Sequence, residues 1–281
     1  MTEQTSYTIG KLRITRITEQ LFSLPLEKLF PASVEDASAF EQGADTLIEM
    51  SVHSWLVETP NRILLIDTAT GNGKDRPFSP LFHQLNSPWM DNLTAAGTDP
   101  ADVDYVLHTH LHTDHVGWNT VPNGEGWLPT FPNAVWVCPQ SEVDFMTSPA
   151  AAARRAVFDD SVQPLIDARR LITLPDEITE YLPGVTFYPT PGHSPGHMSI
   201  AFVTEGQTLV FCGDLMHADI QVAHPQWNSL FCGNGPLAAR SRNWLLEFAA
   251  AKNATVFTSH FNHSSAGRIK ETAQGFSWEF V

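Results

Sequence analysis

Histidine and aspartate residues are concentrated in one short stretch of this chain. Four histidines and one aspartate lie within residues 108–115, in the order His-Thr-His-Leu-His-Thr-Asp-His. In extended backbone, residues two apart point to the same side, so His110 and His112 can face one metal ion together. Asp114 and His115 are adjacent, so their side chains diverge and can reach a second ion nearby. Zinc and similar divalent ions prefer such ligands, and the ordered spacing favours a metal site over a solvated histidine-rich loop.

An apolar segment leads into this stretch. Val103, Tyr105, Val106 and Leu107 predict a buried strand. Gly117 and the asparagine and glycine residues after it are loop formers, so the chain must turn there. The candidate ligands are therefore expected at the end of a strand, where α/β folds usually place their chemistry.

The run His110-x-His112-x-Asp114-His115-x-Gly117 resembles the signature of the metallo-β-lactamase superfamily. Three further blocks of that family's pattern occur in the expected order, and they read Pro-Gly-His-Ser-Pro-Gly-His, Phe-Cys-Gly-Asp and Ser-His-Phe. These blocks place three more residues at the ligand positions of the family, namely His193, Asp214 and His260.

The resemblance covers most of the chain and implies an α/β fold, the αββα four-layer sandwich. It also implies two divalent metal ions per chain, with zinc expected first from the ligand types and iron, manganese or cobalt as alternatives. Each ion would keep an open coordination position, as catalytic zinc sites do. The implied ligands are His110, His112 and His193 for the first ion, Asp114, His115 and His260 for the second, and Asp214 as the bridge.

The reaction that the resemblance implies is hydrolysis of a small lactone or ester by a hydroxide that bridges the two ions. Asp114 and Asp214 would orient this nucleophile and assist proton transfer. Phosphotriester and thioester hydrolysis are alternatives. A β-lactamase is less expected, because those enzymes commonly carry cysteine where Asp214 stands. A diiron flavoprotein is disfavoured, because that branch carries glutamate where His112 stands.

The pattern is closest to the lactonase and methyl-parathion-hydrolase-like branch, with one departure. N-acyl homoserine lactonases of this fold carry a tyrosine three residues beyond the bridging aspartate, where it polarises the substrate carbonyl. Here that residue is His217, which can donate a hydrogen bond in the same place. We therefore predict a catalytic role for His217, with a supporting or surface histidine as the alternative.

Other residues near these blocks carry secondary predictions. His197 is expected to support a ligand and not to bind metal, and neither His224 nor His263 is expected to be a ligand. Asp67, at the end of an apolar strand, could support the site or be an ordinary strand-end carboxylate. Trp118 is expected to line an apolar substrate wall, with core packing as the alternative.

The charge balance narrows the range of partners. Acidic residues outnumber basic ones 31 to 16, giving a net charge of −15. This excess disfavours a nuclease or another nucleic-acid-binding protein, because such binding depends on neutralising phosphates. The composition is not that of a membrane-surface protein either. A small neutral or apolar molecule is the expected partner, and a homodimer and an inactive metal-binding module are left open.

Cysteine usage and the N-terminal sequence predict a cytoplasmic protein. Three cysteines are no disulfide framework, and Cys138 and Cys212 are expected to be buried thiols because they stand in apolar runs. The sequence shows no signal peptide and no apolar stretch long enough to span a bilayer.

The length of 281 residues is compatible with one domain or two. We predict a single domain overall, with an N-terminal strand and extension over residues 1–46 and the catalytic part over residues 47–281. Residues 8–24 predict an edge strand, and residues 25–46 a loop that could lie over the site or over another subunit. Further strands are expected at 51–58, 63–67, 185–189, 198–203, 208–212 and 255–258, and helices at 80–96, 139–171 and 236–252.

Overall fold

The computed structural model describes residues 5–31, 46–124 and 126–281 of the chain. These residues divide into two compact units. Unit 1 comprises the described parts of Met1–Gln20 and Val52–Glu177, and unit 2 comprises those of Leu21–Ser51 and Ile178–Val281. Most of the predicted extension at 25–46 lies outside the described residues, and the domain boundary at residue 46 stays a prediction.

Unit 1 is built on a mixed sheet of parallel and antiparallel strands. The strands, in chain order, are β1 (Ser6–Ile9), β2 (Leu12–Pro25), β3 (Leu47–Glu58), β4 (Ile63–Ile66), β5 (Tyr105–Leu107), β6 (Thr120–Asn123), β7 (Gly126–Pro129), β8 (Val135–Pro139) and β9 (Leu171–Leu174). In the described residues, β6 and β7 form a separate hairpin, and the other seven strands form one sheet in the order β1-β2-β3-β4-β5-β8-β9.

The centre of this sheet explains where the ligand stretch lies. Strand β5 pairs in parallel with β4 on one side and with β8 on the other. A central parallel strand is covered on both faces, and its sequence is therefore a short run of apolar residues. The predicted strand before residue 108 is confirmed, and its carboxyl end leads directly into the histidine-rich stretch.

The helices of unit 1 are shorter than the sequence predicts. They are α2 (Trp89–Ala95), α3 (Thr113–Val116), α4 (Gln140–Thr147), α5 (Arg155–Ser161) and α6 (Gln163–Asp167). The predicted helix at 80–96 is wrong over its first half, because α2 begins only after Pro88. The predicted stop is confirmed, since Gly97 has a φ of +94°.

The predicted helix at 139–171 is interrupted by prolines. A 3₁₀ helix, Pro149–Arg154, separates α4 from α5, and Pro164 lies in the first turn of α6. Proline lacks the N–H that a continuous helix would need and starts a new helical segment instead. Only the last predicted residue, Leu171, belongs to strand β9, which is not among the predictions.

The predicted edge strand at 8–24 is a hairpin. Strand β1 pairs antiparallel with β2, and Ile9 lies opposite Leu12. Gly10, with a φ of +55°, makes this tight reversal possible. The outermost strand is therefore β1, and β2 pairs on both edges.

Unit 2 is built on a second, mostly antiparallel sheet. The strands are β10 (Thr179–Leu182), β11 (Val185–Pro189), β12 (Met198–Thr204), β13 (Gln207–Phe211), β14 (Thr255–Phe257), β15 (Ala266–Thr272) and β16 (Gly275–Phe280), and they follow chain order across the sheet. The four predicted strands of this part are confirmed as β11 to β14. Strands β10, β15 and β16 are not among the predictions.

The helices of unit 2 are α1 (Leu26–Leu29), α7 (Ile220–Ala223) and α8 (Gly235–Lys252). The long helix α8 confirms the prediction at 236–252. The Asn234 side chain caps it by accepting from the Leu237 N–H at 3.1 Å, a favoured N-cap interaction. Asn253, with a φ of +46°, ends it in the left-handed conformation.

Each unit has its own apolar core. The core of unit 1 includes Leu111, Val116 and Cys138, and that of unit 2 includes Cys212, Leu245 and Val256. Both cysteines are fully buried, as predicted, and burial raises the pKa of both thiols well above the usual range. Among the described residues, the structure has no helix that is both long and apolar enough to cross a membrane.

Candidate metal centre

The candidate ligands of unit 1 lie between β5 and the first turn of α3. Beyond Leu107 the chain runs through residues 108–112 into α3, which contains Asp114 and His115. Leu111 is fully buried in the core of unit 1. His110 and His112 flank Leu111 in the chain, and their rings contact each other.

The imidazole rings of this first ligand set are close to each other. The ring centroid of His110 lies 4.5 Å from that of His112 and 4.0 Å from that of His115. His115 Nε2 lies 3.8 Å from Asp114 Oδ2. The structure thus brings together the four site residues that the sequence predicts in unit 1.

Asp67, at the end of β4, holds this ligand set from behind. Its Oδ2 accepts from His115 Nδ1 at 2.9 Å and from the Thr109 hydroxyl at 2.7 Å, and its Oδ1 accepts from the Thr109 N–H at 2.9 Å. His108 Nδ1 lies 3.3 Å from the same Oδ1. Asp67 therefore supports the set, which is the first of the two interpretations that the sequence allows.

The environment keeps Asp67 ionised. Burial by itself would raise the pKa of Asp67, but the charge of His115 and the hydrogen bonds from His108 and His115 lower this pKa well below its usual range. Because Nδ1 of His115 is bound to the carboxylate, Nε2 is the nitrogen left to bind a metal ion.

A second buried carboxylate holds the middle of the ligand stretch. Glu142, in the first turn of α4, is fully buried, and its Oε2 accepts from the Leu111 N–H at 3.0 Å. Sequence reasoning missed Glu142, because a single acidic residue in a predicted helix is usually exposed.

The candidate ligands of unit 2 come from three separate loops. His193 lies between β11 and β12, Asp214 follows β13, and His260 follows β14. Strands β13 and β14 are parallel neighbours, with Phe211 opposite Phe257. Because the carboxyl ends of parallel neighbours meet at one edge of a sheet, Asp214 and His260 emerge side by side.

Three imidazoles of this second ligand set surround one carboxylate. His260 Nε2 lies 3.1 Å from both oxygens of Asp214. His193 Nε2 and His217 Nε2 lie 3.3 Å and 3.4 Å from its Oδ2. All four side chains are buried. The structure therefore also brings together the four site residues predicted in unit 2.

Neutral groups hold this second set. His260 Nδ1 donates to the Ser51 carbonyl at 2.9 Å. His197 Nε2 accepts from the Asp214 N–H at 3.0 Å, so its Nδ1 carries the proton and donates to the Thr190 hydroxyl at 2.9 Å. His197 thus contacts the backbone of a candidate ligand, as predicted for a supporting side chain.

His217 differs from the other histidines of the set. It is fully buried, yet neither ring nitrogen makes a hydrogen bond within the part of the chain that the structure describes. Its ring stacks on that of His260 at 5.4 Å between centroids and lies 5.5 Å from the ring of Phe231. Burial lowers the pKa of His217, although the neighbouring Asp214 acts in the opposite direction.

The remaining predictions near the site have mixed outcomes. Trp118 is only 5% exposed, stacks on Trp89 and donates to Glu19 Oε1 at 2.8 Å. The predicted substrate wall at Trp118 is therefore wrong, because the residue packs in the core. His224 stacks on Trp227, and His263 contacts Phe280.

The donor atoms fit borderline divalent metals. In both sets the donors are imidazole nitrogens and carboxylate oxygens, and sulfur is absent from them. The Nδ1 atoms of His115 and His260 are engaged by Asp67 and by the Ser51 carbonyl, which orients each Nε2 outward. Ligating histidines in metalloproteins are typically fixed in this way.

The family profile of the metallo-β-lactamase superfamily matches residues 47–260. This match covers most of the chain, and the chain belongs to that superfamily. The fold agrees, because the solved structure described as hydrolase AbOPH in the beta-lactamase superfamily superposes with a TM-score of 0.81 at 22% identity, covering 99% of this chain and 97% of the other. The predicted metallo-β-lactamase fold is confirmed.

The similar proteins include lactonases. N-acyl homoserine lactonase AttM of Agrobacterium fabrum is 30% identical over 177 residues, and an N-acyl homoserine lactonase of Bacillus cereus is 27% identical over 175 residues. These matches cover 61% and 58% of this chain, and the chain spans 63% of the length of each relative. AidC, described as a dizinc quorum-quenching lactonase in complex with a product, superposes with a TM-score of 0.78 at 24% identity, covering 99% of this chain and 97% of the other.

Proposed function

We propose that this chain is a dinuclear metal-dependent hydrolase of small lactones or esters. The observation that carries the proposal is the presence of two ligand sets made of imidazoles and carboxylates, whose ligands are held from behind by further hydrogen bonds. Membership of the superfamily supports it, and so do the lactonase names of the similar proteins.

The proposal assigns the two ligand sets to one dinuclear centre. Zinc is the first expectation from the ligand chemistry, and AidC is described as a dizinc enzyme. Iron, manganese and cobalt can also bind imidazole and carboxylate. We assign His110, His112 and His193 to the first ion, Asp114, His115 and His260 to the second, and Asp214 to both.

The chain's own residues would then divide the chemistry between them. Bound metal ions would supply a hydroxide nucleophile at neutral pH and a Lewis acid for the carbonyl oxygen. Asp214, surrounded by three imidazoles at 3.1–3.4 Å, would fix the geometry of the centre and, together with Asp114, accept and pass on a proton. His217 would donate an N–H to the oxygen of the substrate carbonyl, where negative charge develops in the transition state.

The surroundings of His217 favour an apolar substrate. Phe231 lies against its ring and belongs, with Ile220, to the side chains packed on an apolar cluster around Trp227. The neighbouring Leu230 is 51% exposed. An uncharged ester or lactone with an aliphatic group would contact these side chains with little desolvation cost, which agrees with the acidic net charge of −15.

The proposal is tested with metal-defined protein. Elemental analysis after reconstitution should give two transition-metal ions per chain, and turnover should be measured on a lactone, an aryl ester, a thioester and a phosphotriester. The lactone or the aryl ester is expected to be the best substrate. A phosphotriester or thioester preference would keep the metal centre and change the substrate class. One ion or none, or turnover that does not depend on metal, would contradict the proposal.

A variant pair separates chemistry from folding. His110→Ala should abolish turnover and lower metal content while circular dichroism stays unchanged, because a core of this size does not need the metal ions to fold. His263→Asn is the matched control, since this exposed histidine contacts Phe280 outside both ligand sets, asparagine accepts its φ of +50°, and its loss should leave turnover intact. The cytoplasmic location and a homodimer stay predictions.

A further inference from the structure

A buried guanidinium lies behind the first ligand set. The side chain of Arg76 is fully buried, and its Nη1 and Nη2 each donate to one carboxylate oxygen of Asp160 at 2.7 Å. Nη1 also donates to the Asp75 carbonyl at 2.8 Å. The remaining nitrogen, Nε, donates to the hydroxyl of Thr113 at 2.8 Å. The planar guanidinium is therefore held in one orientation, and its Nε is directed at Thr113.

Thr113 occupies a critical position in the ligand stretch. It is the first residue of α3 and stands between the candidate ligands His112 and Asp114. Helix α3 has only four residues, and no side chain caps its N-terminus. A helix this short is not stable by itself. The direction of Asp114 and His115 therefore depends on the contacts that anchor the turn from outside.

The charged cluster of Arg76, Lys74 and Asp160 is better suited to orienting Thr113 than to stabilising the fold. Lys74 Nζ lies 3.6 Å from Asp160 Oδ1 and donates to the Thr120 hydroxyl at 2.6 Å. Two basic side chains thus share one buried carboxylate. Buried ion pairs are costly to desolvate and are weak evidence for stability. The cluster is better explained by the orientation it imposes on Thr113 than by a gain in folding free energy.

We propose that Arg76, fixed by Asp160, is a positioning residue that sets the orientation of Asp114 and His115 through the hydroxyl of Thr113. This inference rests on the proposed function, because the orientation matters only if these residues bind metal. It adds to the anchors already described, since Asp67 holds His115 and Glu142 holds Leu111, whereas Arg76 holds the residue immediately before Asp114.

The test removes a single hydroxyl. Thr113→Val keeps the shape of the side chain and loses the hydrogen bond from Arg76, whereas Thr113→Ser keeps the hydroxyl. Affinity for the more weakly held ion, measured by chelator competition, should fall about 10-fold in Thr113→Val, the lower end of the effect of removing such supporting contacts. Thr113→Ser should recover most of the affinity. Turnover number should fall in parallel, with little change in KM, because the proposed role of Thr113 is to orient Asp114 and His115 and not to bind substrate.

A double-mutant cycle identifies Arg76 as the partner. Arg76→Lys keeps a positive charge but cannot bind Asp160 and Thr113 at once, so it should lower metal affinity to the level of Thr113→Val. The double variant should be no worse than either single one, because both remove the same contact. Arg155→Lys is the matched control, since the Arg155–Asp159 pair is exposed, lies on the same helix as Asp160 and has a similar distance of 2.7 Å. It should leave metal affinity unchanged.

The outcomes separate this inference from the proposed function. Wild-type affinity and turnover in Thr113→Val, or full additivity of the two substitutions, would show that Arg76 has no positioning role. If the wild-type chain binds two ions and hydrolyses a substrate while Thr113→Val is unaffected, only this inference fails. If the wild-type chain binds no metal, the proposed function fails together with it.

Discussion

The two sets of candidate ligands are held in place by different physical means. The first set comes from residues 110–115 of one loop and is fixed by buried charged side chains, among them Asp67 and Glu142. The second set comes from three loops and is fixed by neutral groups, namely the Ser51 carbonyl and the His197 ring.

This difference follows from how the ligands are distributed along the chain. Contiguous ligands share one backbone segment, so a few strong side-chain contacts can orient all of them. Ligands from separate loops cannot share an anchor, and each depends on the conformation of its own loop. The first set should therefore be sensitive to loss of charge, and the second to any change in backbone geometry.

The largest loss of turnover is expected at Asp214, because this ligand both carries a charge and depends on the backbone of its own loop. Asp214→Asn keeps the shape and loses the charge that offsets repulsion between two dications. Hydrolysis should fall at least ~100-fold, as when a key electrostatic group is lost, and the second ion should be lost before the first, which keeps three histidines. Paired measurements of metal content and turnover test this. Retention of both ions and near-normal turnover would rule out a bridging role for Asp214.

The backbone sensitivity of the second set is tested at Gly192, next to His193. Its φ is +130°, and an added Cβ would lie 2.1 Å from the Ala238 nitrogen of α8. Gly192→Ala should destabilise the fold by about 2–3 kcal/mol in urea unfolding, from strain and overlap together, and should weaken metal binding. Gly206→Ala is the control, because Gly206 also has a positive φ but no atom within 4 Å of the added Cβ. Equal losses in both variants would show that close packing at Gly192 is unimportant.

The charge sensitivity of the first set is tested at Asp67. Asparagine accepts the φ of +56° found there, so Asp67→Asn removes charge with little backbone strain. Metal affinity should fall about 10–100-fold, as for other partners of ligating histidines. Asp104→Asn is a suitable comparison. In the part of the chain that the structure describes, this exposed carboxylate accepts only from the Ile63 N–H, at 2.8 Å. An unchanged affinity in Asp67→Asn would mean that the charge of Asp67 does not tune His115.

The candidate ligands could be predicted from the sequence because each lies in a short local pattern at a strand end. The central strands were also predictable, since parallel buried strands such as β4 and β5 are continuous apolar runs. The helix at 80–96 was mispredicted because a local pattern was present but the structure does not follow it. Leu81 and Leu85 have helical spacing, but Pro88 and the turns before it override that spacing.

The supporting residues could not be predicted in the same way. Arg76 and Asp160 are 84 positions apart in the sequence, and nothing local marks either of them as buried. The same holds for Glu142, whose partner Leu111 is 31 positions away. Long-range contacts of this kind depend on the tertiary structure, so sequence patterns find the ligands more readily than the groups that orient them.

The smallest expected effect is a dependence of folding stability on pH that arises from Lys74 in unit 1. Burial lowers the pKa of Lys74 to about 7 from an ordinary value of 10.5, with Asp160 opposing this shift and Arg76 adding to it. Between these two pH values the unfolded chain binds a proton at Lys74 that the folded chain does not, so folding stability must rise with pH in this window. Below pH 7 the cost of burying the charge is present in full, and above pH 10.5 it is absent.

Lys74→Met removes this dependence and keeps most of the side-chain volume. The free energy of unfolding of the wild type, measured relative to Lys74→Met, should therefore rise by about 1 kcal/mol for each pH unit between roughly pH 8 and 10. Chemical denaturation of both proteins at three pH values provides the measurement. The other titrating groups are common to both proteins and cancel in the difference. A difference that stays constant with pH would show that Lys74 keeps its proton in the folded state, so that the cluster behind Thr113 would carry two full positive charges against the single carboxylate of Asp160.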